Sequence, residues 1–218
     1  MQVPVNLIAS PLNYTGGKYK LLPQLLPLFP NEVNTFVDLF CGGCNVAVNA
    51  NAKKYICNDG EKHLIGLLKK IKSDGAENFS QKIESVITQF NLSNSSKQKY
   101  EFYDCNSSAG LGKYNRPHFL ELREHFNSIS DSDEVYYYEF FTLVIYAFNN
   151  QIRFNSECKY NLPVGKRDFN VKMRNKLTQF AKEIQNKKIK FTNHSFEKLD
   201  LDKLEEDSFI YADPPYLI

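Results

Sequence analysis

No apolar run in this sequence approaches the ~20 residues a membrane span requires, and its start, Met1-Gln2-Val3-Pro4, lacks the basic and apolar blocks of a signal peptide. A cytoplasmic protein with no membrane partner is the expectation. Cysteine is sparse: the five residues are scattered and odd in number, which argues against a disulfide framework and suits reduced thiols. Cys41 and Cys44 have a C-x-x-C spacing, but with no second pair and two glycines between them they read as loop and core thiols. No metal is expected. A large excess of one charge is missing too. The net charge of +2 does not mark the whole chain as a nucleic-acid binder, so any basic surface must be local. What is present, 218 residues of which 42% are hydrophobic, suffices for one α/β domain plus a smaller insert.

The most telling stretch is Ser208-Phe209-Ile210-Tyr211-Ala212-Asp213-Pro214-Pro215-Tyr216. A short apolar run ends in an acid, two prolines and a tyrosine, which reads as a strand followed by a rigid loop. A bland reading is a strand closed by a Pro-stiffened turn. A chemical reading is also available. The exocyclic amine of adenine is a poor nucleophile because its lone pair is delocalised into the ring. An acid and a proline carbonyl, each accepting one of its N–H bonds, would draw that lone pair out and aim it, while an aromatic ring stacks on the base. Asp-Pro-Pro-Tyr after a strand resembles the catalytic motif of S-adenosylmethionine-dependent amino-methyltransferases acting on DNA.

Upstream, Tyr14-Thr15-Gly16-Gly17-Lys18 reads as a turn feeding a helix over 21–29, with Pro23 near its first turn. Backbone N–H groups there, with Lys18, suit a carboxylate. Thr35-Phe36-Val37-Asp38-Leu39-Phe40 is a buried-strand pattern running into Cys41-Gly42-Gly43-Cys44 and a helix over 45–51. Strand, glycine turn and helix make the nucleotide-binding start of a doubly wound sheet. A second strand, 54–57, ends at Asn58-Asp59, about twenty residues on, where an acid takes ribose hydroxyls. The loop lacks G-x-G-x-x-G spacing, and Asp38 beside it suits the ammonium of a methionine moiety better than a pyrophosphate. Helices follow over 62–71 and 79–90, then a polar connection over 91–115 expected to be exposed and partly mobile, then helices over 117–126 and 134–148. Asn149-Asn150-Gln151-Ile152-Arg153-Phe154-Asn155 leads through a turn to Lys159-Tyr160-Asn161-Leu162-Pro163-Val164-Gly165-Lys166-Arg167. Amides and arginines on a hairpin are what reading bases in a major groove requires, although an ordinary solvated loop has the same polarity.

In this order, Tyr-Thr-Gly-Gly-Lys, Phe-Val-Asp-Leu-Phe-Cys-Gly-Gly, Asn-Asp, Ile-Arg-Phe-Asn…Pro-Val-Gly-Lys-Arg and Tyr-Ala-Asp-Pro-Pro-Tyr resemble the Dam family of DNA adenine methyltransferases, the T-even phage type above all. The resemblance implies a Rossmann-like, S-adenosylmethionine-dependent α/β core with an inserted, mostly helical target-recognition domain. It divides the chain at 1–65, 66–170 with its hairpin at 149–167, and 171–218. It implies methyl transfer to the amino nitrogen of adenine in double-stranded DNA, usually in GATC, with S-adenosylhomocysteine as product. Carried over by residue, Asp213, Pro214 and Tyr216 are catalytic. Tyr14, Gly16, Gly17, Lys18, Asp38, Phe40, Gly42, Asp59 and Phe196 hold the cofactor. Asn149, Gln151, Arg153, Asn155, Pro163, Lys166 and Arg167 contact DNA. Two positions depart from the pattern: Cys44 stands where the family has a glycine, and Ser195 where many relatives have an acid.

A helix over 172–184 and a strand over 188–192 precede the last motif, in the most cationic part of the chain: Lys166, Arg167, Lys172, Arg174, Lys176, Lys182, Lys187, Lys188 and Lys190. Those beside the hairpin are candidates for phosphate contacts. Two competing classes share these motifs, a methyltransferase acting on RNA or a protein glutamine and a truncated, non-catalytic binding module. Family members continue past the last motif, so a missing C-terminal segment or a partner chain is expected to complete the sheet.

Overall fold

Thr35–Asp38 forms β1, a strand with every residue buried, its apolar centre Phe36-Val37 lying between Thr35 and a terminal acid, as suits a central parallel strand. The computed structural model describes residues 6–14 and 16–214. Around β1 a four-stranded sheet is built from β2 (Lys54–Asn58), β3 (Ile189–Thr192) and β4 (Phe209–Tyr211), in the order β3-β2-β1-β4. All three pairings are parallel. Parallel neighbours need crossovers, and helices supply them: α2 (Asn45–Asn49) between β1 and β2, and the end of α6 (Val171–Asn186) leading into β3. The fold class is therefore α/β, as expected.

The chain forms two compact units. The first holds Met1–Pro11, Thr15–Gly75 and Thr178–Ile218, the second Leu12–Tyr14 and Ala76–Leu177. The divisions fall at Gly75 and Leu177, where the sequence reading places them after 65 and 170. The segment Lys62–Gln89 (α3) is two helices that meet at Gly75, and the first of them runs through residue 65; Gly75 has φ +74°, a conformation that glycine adopts at little cost.

In the first unit the expected helix over 21–29 is instead a series of short turns: a 3-10 turn at Tyr19–Leu21, α1 (Leu22–Leu25) and a second 3-10 turn at Leu26–Leu28. Pro23 suits a helix start, but Pro27 arrives four residues later without an N–H to continue the ladder. Phe29 beyond the turns packs its ring 5.6 Å from Phe36 and 5.1 Å from Phe209, covering β1 and β4. Lys72 and Lys187 hold backbone rather than solvent. Lys72 Nζ donates to the carbonyls of Ile184 and Lys187 at the end of α6, and Lys187 Nζ donates to the Ala50 carbonyl and lies over the Tyr55 ring.

The second unit is helical. The N-terminal half of its core comes from the end of α3, the rest from α4 (Gly112–Ser128) and α5 (Tyr136–Tyr146). α5 is buried all round apart from Tyr137, so two of its three leading tyrosines face inward. The connection over 91–115 differs from expectation. Its tip is exposed, but Leu92, Ser93, Asn94, Leu111 and Asn115 are buried. Polar side chains are accepted there because they satisfy one another. Asn115 Oδ1 takes the Ser93 N–H at 2.8 Å, and buried Asp168 takes the Ser95 N–H at 2.6 Å and the Ser95 hydroxyl at 2.7 Å. Arg174, part of the cationic run that follows the hairpin, belongs to this network. It pairs with Glu84, donates to Ser96 Oγ and stacks 4.1 Å from the Phe169 ring centre.

Phe140 sits fully buried in the second unit's aromatic core, 5.7 Å from Phe126 and 5.6 Å from Phe154. Phe140→Ala is expected to cost about 3–5 kcal/mol, the range for emptying a buried phenylalanine site. Urea unfolding monitored by circular dichroism measures it; a loss below about 1 kcal/mol would be inconsistent with this packing.

Candidate functional site

The C-terminal edge of the parallel sheet gathers the polar residues of the first unit. Asp38 ends β1, and the β1–β4 register sets it opposite Tyr211. Asp213 therefore emerges two residues beyond on the adjacent strand. Lys18, in the turn before the helical segment, reaches Asp213 Oδ2 with its Nζ at 2.6 Å and donates to the Gly16 carbonyl at 2.8 Å. Gly16 has φ +78°, the left-handed turn its sequence position requires.

Asp38 is 1% exposed, and its Oδ2 has no hydrogen-bond partner among the described residues. Burial raises its carboxyl well above the ordinary range. The Cys44 sulfur, Asp59 and Asp213 push the same way, against a hydrogen bond from the Ala47 N–H. A buried acid with an orphaned oxygen, facing further carboxylates, is a site that favours a cation.

Asn58 stitches the strand ends together. Its Nδ2 donates to the Leu39 and His194 carbonyls, while its Oδ1 accepts from the Thr192 hydroxyl and the His194 N–H. This residue was missed in the sequence, where only its place beside Asp59 marked it. Asp59 uses one oxygen on the Gly42 N–H at 2.9 Å and the other on the Glu61 N–H at 2.9 Å, so the expected ribose acid also braces the glycine loop. Phe40 and Phe196 come together with ring centres 5.4 Å apart, and Phe196 is half exposed. Cys41, Cys44 and Cys57 are buried free thiols beneath the loop, with Cys44 Sγ 3.6 Å from Cys57 Sγ. Cys44 holds φ +63°, the left-handed angle that explains why glycine is the easier residue there. Among the described residues no His, Cys, Asp and Glu group could hold a metal. Pro214 is described; Tyr216 lies outside the described residues, and Tyr14 belongs to the second unit.

The second unit carries the expected hairpin in a looser form than a β-ladder. Two isolated antiparallel bridges, Ala147 with Val164 and Phe154 with Tyr160, are its only sheet pairing among the described residues. Side chains do the rest. Asn127 accepts the Tyr160 N–H at 2.8 Å and donates to its carbonyl at 3.1 Å, imitating a neighbouring strand, and Arg123 donates to the Leu162 carbonyl. The rings of Phe126, Phe140, Phe154 and Tyr160 form the base. Gly165 admits the closest approach: an added Cβ would lie 2.5 Å from the Ala147 carbonyl oxygen.

Of the residues read as DNA contacts, Asn149, Arg153, Asn155, Pro163, Lys166 and Arg167 are exposed and Gln151 is half-buried. Two are already engaged. Asn155 Oδ1 closes the turn by accepting the Glu157 and Lys159 N–H groups, and Arg153 Nε donates to Asn161 Oδ1 at 2.9 Å. Asn149 and Asn150 are both left-handed, with φ +56° and +53°, and the Asn150 amide caps α5 by donating to the Ile145 carbonyl. Those two angles leave Phe148 52% exposed beside them, a ring the sequence reading passed over as the end of a helix. Lys113 and Arg116 add two cations to those the sequence singled out. They are exposed on the first turns of α4, next to Leu111, whose N–H donates to the Lys166 carbonyl at 2.9 Å.

Residues 14–218 match the family model described as D12 class N6 adenine-specific DNA methyltransferase. The chain is 38% identical over 213 residues to the modification methylase StsI of Streptococcus sanguinis and 36% identical over 213 residues to the type II methyltransferase M.FokI of Planomicrobium okeanokoites; each alignment covers 97% of this chain and 29% of the relative. It is 28% identical over 209 residues to a DNA adenine methylase of Haemophilus influenzae, covering 94% of this chain and 63% of that protein. The chain thus spans under a third of the length of the first two.

The raised carboxyl of Asp38 has a sign that can be tested. Because its folded pKa lies above the unfolded value, it contributes stability that is full below about pH 4 and is lost as pH rises through the folded value. Asp38→Asn removes that dependence. Between pH 4 and 8 the wild-type urea midpoint is expected to fall more steeply than that of Asp38→Asn, and parallel curves would contradict the buried, unpaired state of this acid.

Proposed function

The chain belongs to the D12 class of N6 adenine-specific DNA methyltransferases, and from that premise we propose that it methylates the amino nitrogen of an adenine turned out of duplex DNA, using S-adenosylmethionine. The observation that carries this reading is the arrival of Asp213-Pro214 on the sheet edge where Asp38 ends β1, through parallel pairing of β4 with β1. The amine-holding pair and the cofactor loop belong to one edge.

The residues of that edge suit the cofactor. The orphaned oxygen of Asp38 fits an ammonium, Asp59 a ribose, and the half-exposed face of Phe196 against Phe40 an adenine ring. When bound, S-adenosylmethionine supplies an electrophilic methyl on a sulfonium. Asp213 and the Pro214 carbonyl accept the two N–H bonds of the target amine and turn its lone pair toward that methyl. With the cofactor bound, the new N–C bond would form as the S–C bond of the sulfonium breaks with its electron pair left on sulfur, and the Asp213 carboxylate would stabilise the positive charge passed to the nitrogen until a proton is lost to solvent. Tyr216 is assigned the stacking role. Such stacking is worth ~1–3 kcal/mol, against a few kcal/mol for turning the base out.

The second unit is assigned target recognition. Arg153, with Asn149 and Gln151, reads base edges, while Pro163 makes apolar contact. Asn155 acts through the turn it closes. Lys166 and Arg167, with Lys113 and Arg116, position the backbone through phosphates. Phe148 gives the hairpin an exposed ring for stacking on bases. The higher identity to modification methylases than to the Haemophilus DNA adenine methylase favours a role beside a restriction endonuclease. GATC, the target the resemblance implies, is the first sequence to test.

Transfer of tritiated methyl groups to a set of duplexes, RNA and protein tests this reading. Asp213→Ala is expected to lower transfer to DNA by about a hundred-fold or more while DNA binding persists; substantial turnover by that variant, or preference for RNA or protein, would overturn the assignment. Arg153→Ala is expected to lose about 1–3 kcal/mol of discrimination among single-base variants of the methylated site. Phe148→Ala is expected to weaken DNA binding by a similar amount with cofactor affinity unchanged.

A further inference from the structure

The Lys18–Asp213 pair is not an ordinary surface contact. Its Nζ–Oδ2 distance is 2.6 Å, and the two side chains are only 16% and 22% exposed. The proposed chemistry asks the opposite of what this pair provides. Asp213 must accept an N–H from the target amine and then carry the positive charge that grows on its nitrogen. An ammonium on the same carboxylate occupies an acceptor oxygen, and its own charge opposes the new one. The Lys18 contact and the adenine contact therefore compete for Asp213.

Lys18 has a second direction in which to serve. It follows the Gly16-Gly17 turn, bonds the Gly16 carbonyl, and stands immediately before the helical segment that opens at Tyr19. The methionine end of the cofactor carries two charges. Its ammonium suits the orphaned Asp38 oxygen, and its carboxylate needs a cation from this chain. Asp38, Asp59 and Asp213 are all near one another on that edge and all have the wrong sign. Among the described residues Lys18 is in direct contact with one of these acids, Asp213.

We propose that Lys18 exchanges partners between Asp213 and the α-carboxylate of the cofactor, so that Asp213 becomes available to the target amine only when the methyl donor is in place. The exchange rests on the methyl-transfer reading. It makes Lys18 a positioning residue: a base presented without methyl donor meets a carboxylate already paired. When the spent cofactor leaves, the ammonium returns to Asp213 and competes with the methylated base, which favours its release.

The full chain, labelled with carboxyl-13C aspartate, tests this by NMR, with the Asp213 signal identified by its loss in Asp213→Asn. Two ligands are compared: S-adenosylhomocysteine, which has the amino-acid end, and 5′-methylthioadenosine, which lacks it. S-adenosylhomocysteine is expected to move the Asp213 signal toward its position in Lys18→Met, and 5′-methylthioadenosine to bind without moving it. By calorimetry Lys18→Met is expected to bind S-adenosylhomocysteine about ten-fold or more less tightly than wild type, with 5′-methylthioadenosine little changed. Binding of S-adenosylhomocysteine with the wild-type Asp213 signal unmoved overturns the exchange and leaves methyl transfer standing. Failure of both ligands to bind wild type overturns the methyl-transfer reading and the exchange with it. The wild-type comparison does not depend on the folding of Lys18→Met.

Discussion

Parallel pairing of β4 with β1 is the constraint on which the first unit's chemistry depends. In a parallel sheet all strands deliver their C-terminal residues to one edge, so acids far apart in sequence become neighbours without any local motif joining them. Asp38 and Asp213 are brought together this way, and Asn58 secures the edge by bonding the backbone beyond β1 and β3 at once. Like charges so close are unfavourable alone. Burial first, then the Cys44 sulfur and the neighbouring carboxylates, raises the Asp38 carboxyl, while Asp213 is paired with Lys18. Sites that concentrate such tension are commonly where a ligand of opposite sign is held.

The second unit solves a different problem. A hairpin with two isolated bridges cannot hold its own shape, since few ladder bonds oppose the entropy of a long loop. Its geometry is imposed from outside. Asn127 and Arg123 on α4 hold the returning arm, and Gly165 lets the loop backbone meet Ala147 where any side chain would collide. The buried network around Asp168 does the same for the segment after the hairpin, tying it to Ser93 and Ser95.

Much of this was legible in the sequence. The strand-turn-helix run from Thr35 and the strand before Asp213 follow from apolar runs bounded by glycine and proline, signals that are local. The misreadings share one cause. Composition cannot say whether a polar side chain faces water or another polar group. Ser93, Asn94 and Asn115 read as an exposed linker but are buried partners, and Arg174, one charge in a cationic run, is paired with Glu84. Pro27 was overlooked as a helix breaker because its leucine neighbours keep the apolar spacing. Asn58 escaped because all its partners come from other strands, and Phe148 because its exposure follows from two left-handed residues that come after it.

The clamp on the hairpin separates two properties that usually constrain each other. Asn127 grips main-chain atoms of Tyr160, and Arg123 the carbonyl of Leu162, so neither contact depends on which side chains the tip displays. The tip, 155–159, is exposed along its whole length and lies outside the aromatic base. Its sequence can therefore drift with little penalty in folding, as long as the turn closes. Such a loop behaves as an exchangeable cartridge on a fixed mount, and lineages that share the mount are free to diverge at the cartridge.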